Sequence, residues 1–273
     1  MAYQLKDLVN LERYPIDDLD GAGATLLQSC QDSLADGAMC HLPDFVKPEA
    51  LAVIQAEANA LRDRTYWMEV ERRAYSWRDP DDYPRGHPVT LTTPNLLGTI
   101  TQDCFPKRGA FVSIFEQPAL TGFVRRCLGL DSLYPVACPY LAANVKVMGE
   151  GCRHAWHFDQ NDGAVTLMIQ SAAAGGHFEY VPYLRDEDDE NYTEVGRLLS
   201  GEDIPTQRAG LADGSFCLFK GRRSIHRVSE VTQGAPDRLL AVFSYHHIPG
   251  HRYKDSTVRS VLGRLPESYP NPA

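Results

Sequence analysis

Arg153-His154-Ala155-Trp156-His157-Phe158-Asp159-Gln160-Asn161-Asp162-Gly163 runs directly into Ala164-Val165-Thr166-Leu167-Met168-Ile169-Gln170, and this passage decides how the chain is read. The second part is apolar and partly alternating, as expected of a half-buried strand. Just ahead of it stand His157 and Asp159, two positions apart. On an extended chain such residues point to the same face, so an imidazole and a carboxylate can reach one point. Two His and one carboxylate on one face of a metal ion leave its other positions open for reactants. His157 and Asp159 supply two of those three groups, and the third must come from elsewhere in the chain.

Outward from this passage the chain reads as a series of strands punctuated by glycine. Leu141 to Met148 is a strand that leads through Gly149 and Gly151 into the quoted motif, with Asn144 as a polar residue in an apolar run. That amide is either a substrate contact or a satisfied core group. Downstream, Gly175-Gly176 turns into a strand ending near Val181, and Asp213-Gly214 turns into Ser215 to Phe219. Gly221 precedes Arg222 to Val228, which contains His226, the candidate for the missing imidazole. Arg238 to Tyr245 is the last regular element before a polar tail. Several antiparallel strands with flanking helices predict a mainly β (α+β) fold in one domain, 1–273, with its core over 134–249.

The first 130 residues read as a helical N-terminal part. The spacing of Leu26, Leu27, Cys30 and Leu34 predicts a helix from Asp20 to Asp36, stopped by Gly37 and followed by a strand at 38–42. Pro48 opens a second helix to about Leu61, and a third runs from Gln117 to Leu128 with Gly129 as its cap. Between 71 and 109 prolines interrupt a stretch rich in Arg72, Tyr75, Trp77, Arg78 and Tyr83. It reads as a long irregular loop, either a substrate-covering lid or an ordered surface crossing. The acidic insertion 186–203 predicts a surface helix through Val195, Leu198 and Leu199, its acids matched to the helix dipole.

Composition excludes several classes. A formal net charge of -9 is wrong for a protein that neutralises phosphates, so no nucleic-acid partner is expected. The seven cysteines are odd in number and form no C-x-x-C, which argues against a disulfide framework or a structural zinc knuckle. No apolar run approaches membrane-spanning length and the first residues do not form a signal segment. A cytoplasmic protein with a small-molecule substrate is the expectation.

His157, Asp159, distal His226 and following Arg238, spread over glycine-separated strands, resemble the Fe(II)/2-oxoglutarate-dependent oxygenases, whose fold is a double-stranded β-helix or jelly roll. Further stretches sharpen the likeness: His154-x-Trp156-His157-Phe158-Asp159-x-Asn161-Asp162, Gly175-Gly176 with Phe178 to Pro182, Asp189 to Tyr192, and Phe219 to Val228. They are similar to the branch that holds the free-amino-acid radical halogenases and their hydroxylating relatives, strongly from about Tyr134 to Pro249.

The resemblance implies that His157, Asp159 and His226 bind Fe(II) and that 2-oxoglutarate and O2 occupy the remaining positions. Arg238 would hold the distal carboxylate of 2-oxoglutarate through its planar fork. His154, Trp156, Gln160 and Asn161 flank the ligands and are candidate substrate contacts, as are Asn144 and Ser244; Trp156 and Val242 serve equally as packing residues. Halogenases of this branch replace the carboxylate ligand with a small residue. Retention of Asp159 therefore implies hydroxylation of a small polar metabolite, a free amino acid or derivative, with desaturation or cyclisation as other fates of the same substrate radical. A zinc-binding jelly-roll hydrolase or sensor is the alternative from another class.

Overall fold

The computed structural model describes residues 3–160 and 163–266. Eleven strands build two facing antiparallel sheets. They are β1 (Met39–Leu42), β2 (Tyr66–Arg73), β3 (Thr92–Thr101), β4 (Ala143–Met148), β5 (His154–His157) and β6 (Ala164–Gln170). The remainder are β7 (Phe178–Val181), β8 (Gln207–Ala209), β9 (Phe216–Phe219), β10 (Ile225–Val228) and β11 (Arg238–Phe243). The larger sheet has the order β1-β9-β6-β11-β4-β3-β2, and the smaller has β8-β7-β10-β5. Consecutive strands after β4 fall alternately into the two sheets or close across them, which is the jelly-roll topology.

Strand alternation sorts side chains into layers. Val145 and Val147 of β4, Val165, Leu167 and Ile169 of β6, and Leu239, Ala241 and Phe243 of β11 face outward from the larger sheet into a core shared with helices. Those helices include α1 (Leu5–Leu8), α2 (Ala24–Gly37), α3 (Pro48–Asn59), α4 (Ala110–Phe115) and α5 (Pro118–Cys127). Proline at the first turn of α3 and of α5 fits there because that N–H has no helical acceptor to lose. Helix α2 includes Gly37 and ends at Ala38, which takes the left-handed conformation (φ 63°) in place of the expected glycine stop.

The opposite faces of these strands meet the smaller sheet. Leu97, Met148 and Val228 form one buried cluster there, and Tyr180, Cys217 and Phe219 form another. Outside the smaller sheet lies a third apolar layer: Trp156, Phe158 and Ile225 beneath Tyr75, Val89 and the helix α6 (Tyr192–Leu199). The acidic insertion thus covers the smaller sheet with an amphipathic helix, and a last helix, α7 (Asp255–Leu262), packs on β2.

One expectation is corrected. The stretch 71–109 is not one irregular loop, because the end of β2 and all of β3 lie in it and extend the larger sheet beyond β4. The N-terminal part also contributes β1, the strand expected at 38–42, paired to β9 at the other edge. What remains irregular is 74–91, which is packed against the insertion. The Tyr75 hydroxyl donates to the Glu190 carbonyl (2.9 Å), and Arg78 and Arg185 both donate to the Glu190 carboxylate (2.8 and 2.6 Å). The Arg185 guanidinium is buried between the Trp77 and Phe158 rings, 4.8 and 4.7 Å from their centroids.

Burial works against the charged form of Glu190, yet hydrogen bonds from the two arginines hold its carboxyl below the usual range. Removing this carboxylate leaves Arg185 buried without a counter-charge. Glu190→Ala should therefore lower the unfolding free energy by about 3 kcal/mol, measured by urea denaturation. An unchanged midpoint would show that Arg185 finds another acceptor.

Candidate metal centre and active site

His157 is the last residue of β5, and His226 lies directly opposite it on β10. Their rings are 4.1 Å apart between centroids. Asp159 follows two residues after His157, its N–H donating to the Gly221 carbonyl at 3.0 Å. Its Oδ1 stands 3.7 Å from Nε2 of both histidines. All three ligand atoms lie within 4.8 Å of one another, and among the described residues no other such group of three or more is present.

The imidazoles are oriented by their own backbone. Nδ1 of His157 lies 2.8 Å from the Ala155 carbonyl and Nδ1 of His226 lies 3.0 Å from that of Ser224. A carbonyl can only accept, so each Nδ1 carries the proton and each Nε2 presents a lone pair to the centre. Burial, with the neighbouring His226, His154 and Arg72, pushes the His157 pKa well below its ordinary value, which favours the neutral, ligating form. Asp159 Oδ2 is buried with no hydrogen-bond partner among the described residues. One anionic oxygen and two neutral imidazole nitrogens on one side of a point make a donor set that fits a divalent metal and leaves its other side open.

Gly221 is part of this construction. A Cβ placed there would lie 2.0 Å from Asp159 Oδ2 and 3.0 Å from His226 Cε1, so the carboxylate occupies space that any side chain would take. The glycine spacing was visible in the sequence, but its role as a cradle for Asp159 was not.

Arg238 opens β11 and is 2% exposed. Among the described residues its Nε and Nη2 have no partner, and Nη1 reaches the Met148 sulfur at 3.9 Å. Burial lowers its pKa to about 10, so the guanidinium still carries its charge at neutral pH. A buried, unpaired fork of donors fits a carboxylate supplied by a ligand. Gly176 (φ 63°) permits this placement, since a Cβ there would sit 3.0 Å from Arg238 Cδ.

The other expected contacts divide. His154 is brought to the centre: its ring is 4.2 Å from that of His157, and its Nε2 is 3.1 Å from Arg72 Nη1. Burial, then Arg72 and Lys146, keep it neutral. Asn144 and Ser244 are brought together, both donating to the Leu141 carbonyl (3.3 and 2.9 Å), which leaves the buried Asn144 Oδ1 without a donor. Trp156 faces the other way, into the outer apolar layer, with Arg227 over its ring at 4.6 Å. The structure gives it a packing place rather than a contact at the metal side. Gln160 is exposed at the rim, and Asn161 lies outside the described residues. A cleft of about 420 Å³ opens over Asp159 and Gln160, walled by Trp77 and Arg78 on one side and Arg185 to Glu190 on the other.

Lys146 was missed. It donates to Thr99 Oγ1 at 3.0 Å from the inner face of β4. Its one signal in the sequence was its spacing of two from Asn144, which puts both on one strand face.

A family model described as HalD, Halogenase D, matches residues 23–256. The chain belongs to the Halogenase D family. Its fold is that of the Fe(II)/2-oxoglutarate oxygenases, as solved structures show. The non-haem α-ketoglutarate-dependent epimerase SnoN from nogalamycin biosynthesis is 15% identical with a TM-score of 0.57, over 92% of this chain and 91% of that one. The carbocyclase SnoK from the same biosynthesis is 14% identical with a TM-score of 0.55, over 90% and 92%. A 2OG-Fe(II) oxygenase-family oxidoreductase from Burkholderia pseudomallei is 16% identical with a TM-score of 0.51, over 82% and 92%. No curated protein sequence matches. No helix among the described residues is long and apolar enough to cross a membrane.

In this Halogenase D family member, Gly221→Ala should push Asp159 off the centre without disturbing the sheets. Divalent-metal affinity should fall by about 10- to 100-fold, the range found when groups supporting a ligand are changed. Calorimetric titration with Fe(II) or Mn(II) under anaerobic conditions reads this, and wild-type affinity would show that Asp159 is not a ligand.

Proposed function

We propose that this chain is an Fe(II)- and 2-oxoglutarate-dependent oxygenase that hydroxylates a C–H bond of a small polar metabolite, an amino acid or amino-acid derivative, and does not chlorinate it. The observation that carries this reading is the Asp159 carboxylate, with one oxygen 3.7 Å from both imidazole nitrogens. A halogenating centre of this kind needs that position empty for chloride. Here the carboxylate fills it, and Gly221 makes room for it.

Each residue then has a task. His157, Asp159 and His226 hold iron from one side, with their protons directed away to Ala155 and Ser224. Arg238 takes the far carboxylate of 2-oxoglutarate, an acceptor its Nε and Nη2 otherwise lack. When bound, the metal would activate O2, one oxygen atom going to 2-oxoglutarate, which leaves as succinate and carbon dioxide, and the other ending as the hydroxyl on the substrate carbon. Asn144 Oδ1 offers an acceptor to a substrate ammonium or hydroxyl. The 74–91 crossing and the insertion wall the cleft through which substrate enters. A zinc hydrolase built on the same three ligands would leave the buried Arg238 without a counter-charge.

Anaerobic titration of the Fe(II)-loaded protein with 2-oxoglutarate should produce a weak visible charge-transfer band; its absence would overturn the oxygenase reading. Arg238→Met should raise the 2-oxoglutarate concentration needed by at least about tenfold, the loss expected for a charged hydrogen-bonded partner. Asp159→Gly should abolish hydroxylation, and in chloride admit some halogenated product by mass spectrometry. Full hydroxylation by that variant would remove Asp159 from the ligand set.

A further inference from the structure

Among the described residues, the arginines around the smaller sheet are matched by carboxylates. Arg185 is paired with Glu190, and Arg208 and Arg227 with Glu179, all at 2.6 to 2.8 Å. Three cations inside the barrel break this pattern. Arg238 is claimed above by the cosubstrate, and Arg72 and Lys146 remain.

Lys146 sits mid-strand on β4, with its ammonium on the neutral Thr99 hydroxyl. The charged group that faces it, among the described residues, is another cation, Arg72. Burial and that neighbour pull the Lys146 pKa down to about 7. Arg72 reaches in from β2 to His154, and the carboxylate that faces it is Asp159, which is committed to the metal. Arg72 and Lys146 act on His154 more strongly than Arg238 does, which sets this pair nearer that imidazole than the cosubstrate arginine is. An unpaired buried charge costs folding free energy that a counter-charge repays. His154 links this pair to the metal side, since it touches Arg72 on one side and packs against the His157 ring on the other.

We infer that the substrate is a carboxylic acid of net negative charge, an acidic or N-acylated amino acid, whose carboxylate docks between Arg72 and Lys146 beside His154. Diamino acids such as lysine and ornithine are disfavoured, because a second ammonium would meet two cations and, among the described residues, no facing carboxylate other than Asp159. This inference rests on the oxygenase reading and names its substrate class.

The test uses holoprotein loaded anaerobically with Fe(II) and 2-oxoglutarate, whose visible band shifts when substrate enters next to the metal. The probes are L-glutamate, N-acetyl-L-leucine, L-leucine and L-lysine. At least one of the two anions should perturb the band, with a Kd at least about tenfold below that of lysine. Lys146→Met should weaken that anion by at least about tenfold while leaving the 2-oxoglutarate titration unchanged, and Lys146→Arg should restore it. The Met variant removes an unpaired charge, so its melting temperature at pH 7 should rise, which separates lost recognition from lost fold.

Lysine binding as tightly as the anions would overturn the inference. So would a Lys146→Met variant that loses 2-oxoglutarate affinity instead, or a panel in which no acid perturbs the band. A band that never forms without any probe overturns the oxygenase reading itself, and this inference with it.

Discussion

The direct opposition of His157 and His226 across β5 and β10 is the constraint on which the rest depends. Strand side chains alternate between faces, so a slip of one residue in this pairing would send one imidazole to the outer surface of the smaller sheet. What resists the slip is the alternation on the other face. Trp156, Phe158 and Ile225, each next in sequence to a ligand, are buried in the outer apolar layer under Tyr75, Val89 and α6. The 74–91 crossing and the acidic insertion therefore do more than wall a cleft. By covering these side chains they hold the register that sets the two imidazoles side by side, and the Arg185 guanidinium sandwiched between Trp77 and Phe158 ties the cover to the strand that carries His157.

Inside the barrel the electrostatics run the opposite way from the surface. The chain is acidic overall, with a formal charge of -9, yet Arg72, Lys146 and Arg238 lie inside the barrel, and Arg72 faces the carboxylate of Asp159. The histidines do not add to that excess, because burial holds His154 and His157 neutral. Such an interior is stable only to the extent that other interactions offset it. Ligands that bring negative charge bind the folded state and not the unfolded chain, so they add stability in proportion to their affinity. Specific recognition and the cost of the empty pocket are two sides of one arrangement of charge.

Much of this was legible in the sequence, and for identifiable reasons. The strands after Leu141 show period-two alternation and are cut by glycines, so β4, β6, β9 and β11 stand where the pattern puts them. His157, Asp159, His226 and Arg238 could be picked out because each lies in a distinctive local motif. β2 and β3 were hidden because β2 is an edge strand, with Glu69, Glu71, Arg72 and Arg73 breaking its apolar rhythm, and β3 contains Pro94. The same misreading hid which way Arg72 points. Lys146 escaped notice because one lysine in an apolar strand carries no motif; its meaning comes from Arg72 and His154, which arrive from two other strands. Contacts made across sheets, unlike those within a strand, leave no spacing in the sequence.

The pairing of Asp159 with Gly221 shows how a carboxylate is accommodated beside two imidazoles in a member of a family named for halogenation. The two residues lie far apart in sequence but meet at van der Waals limits, where the glycine lacks the one atom that would collide with Oδ2. A carboxylate is thus accommodated by a specific absence on the neighbouring strand connection, and the N–H of Asp159 is anchored to the carbonyl of that same glycine at 3.0 Å. Deleting the Asp159 side chain would leave a small void bounded by Gly221 and the two imidazoles, open toward the cleft above. An anion entering there would sit in the field of Arg72, which now faces Asp159. Arg72 thus offers a positive neighbour to a negative charge at that position, whether a protein carboxylate or a halide supplies it.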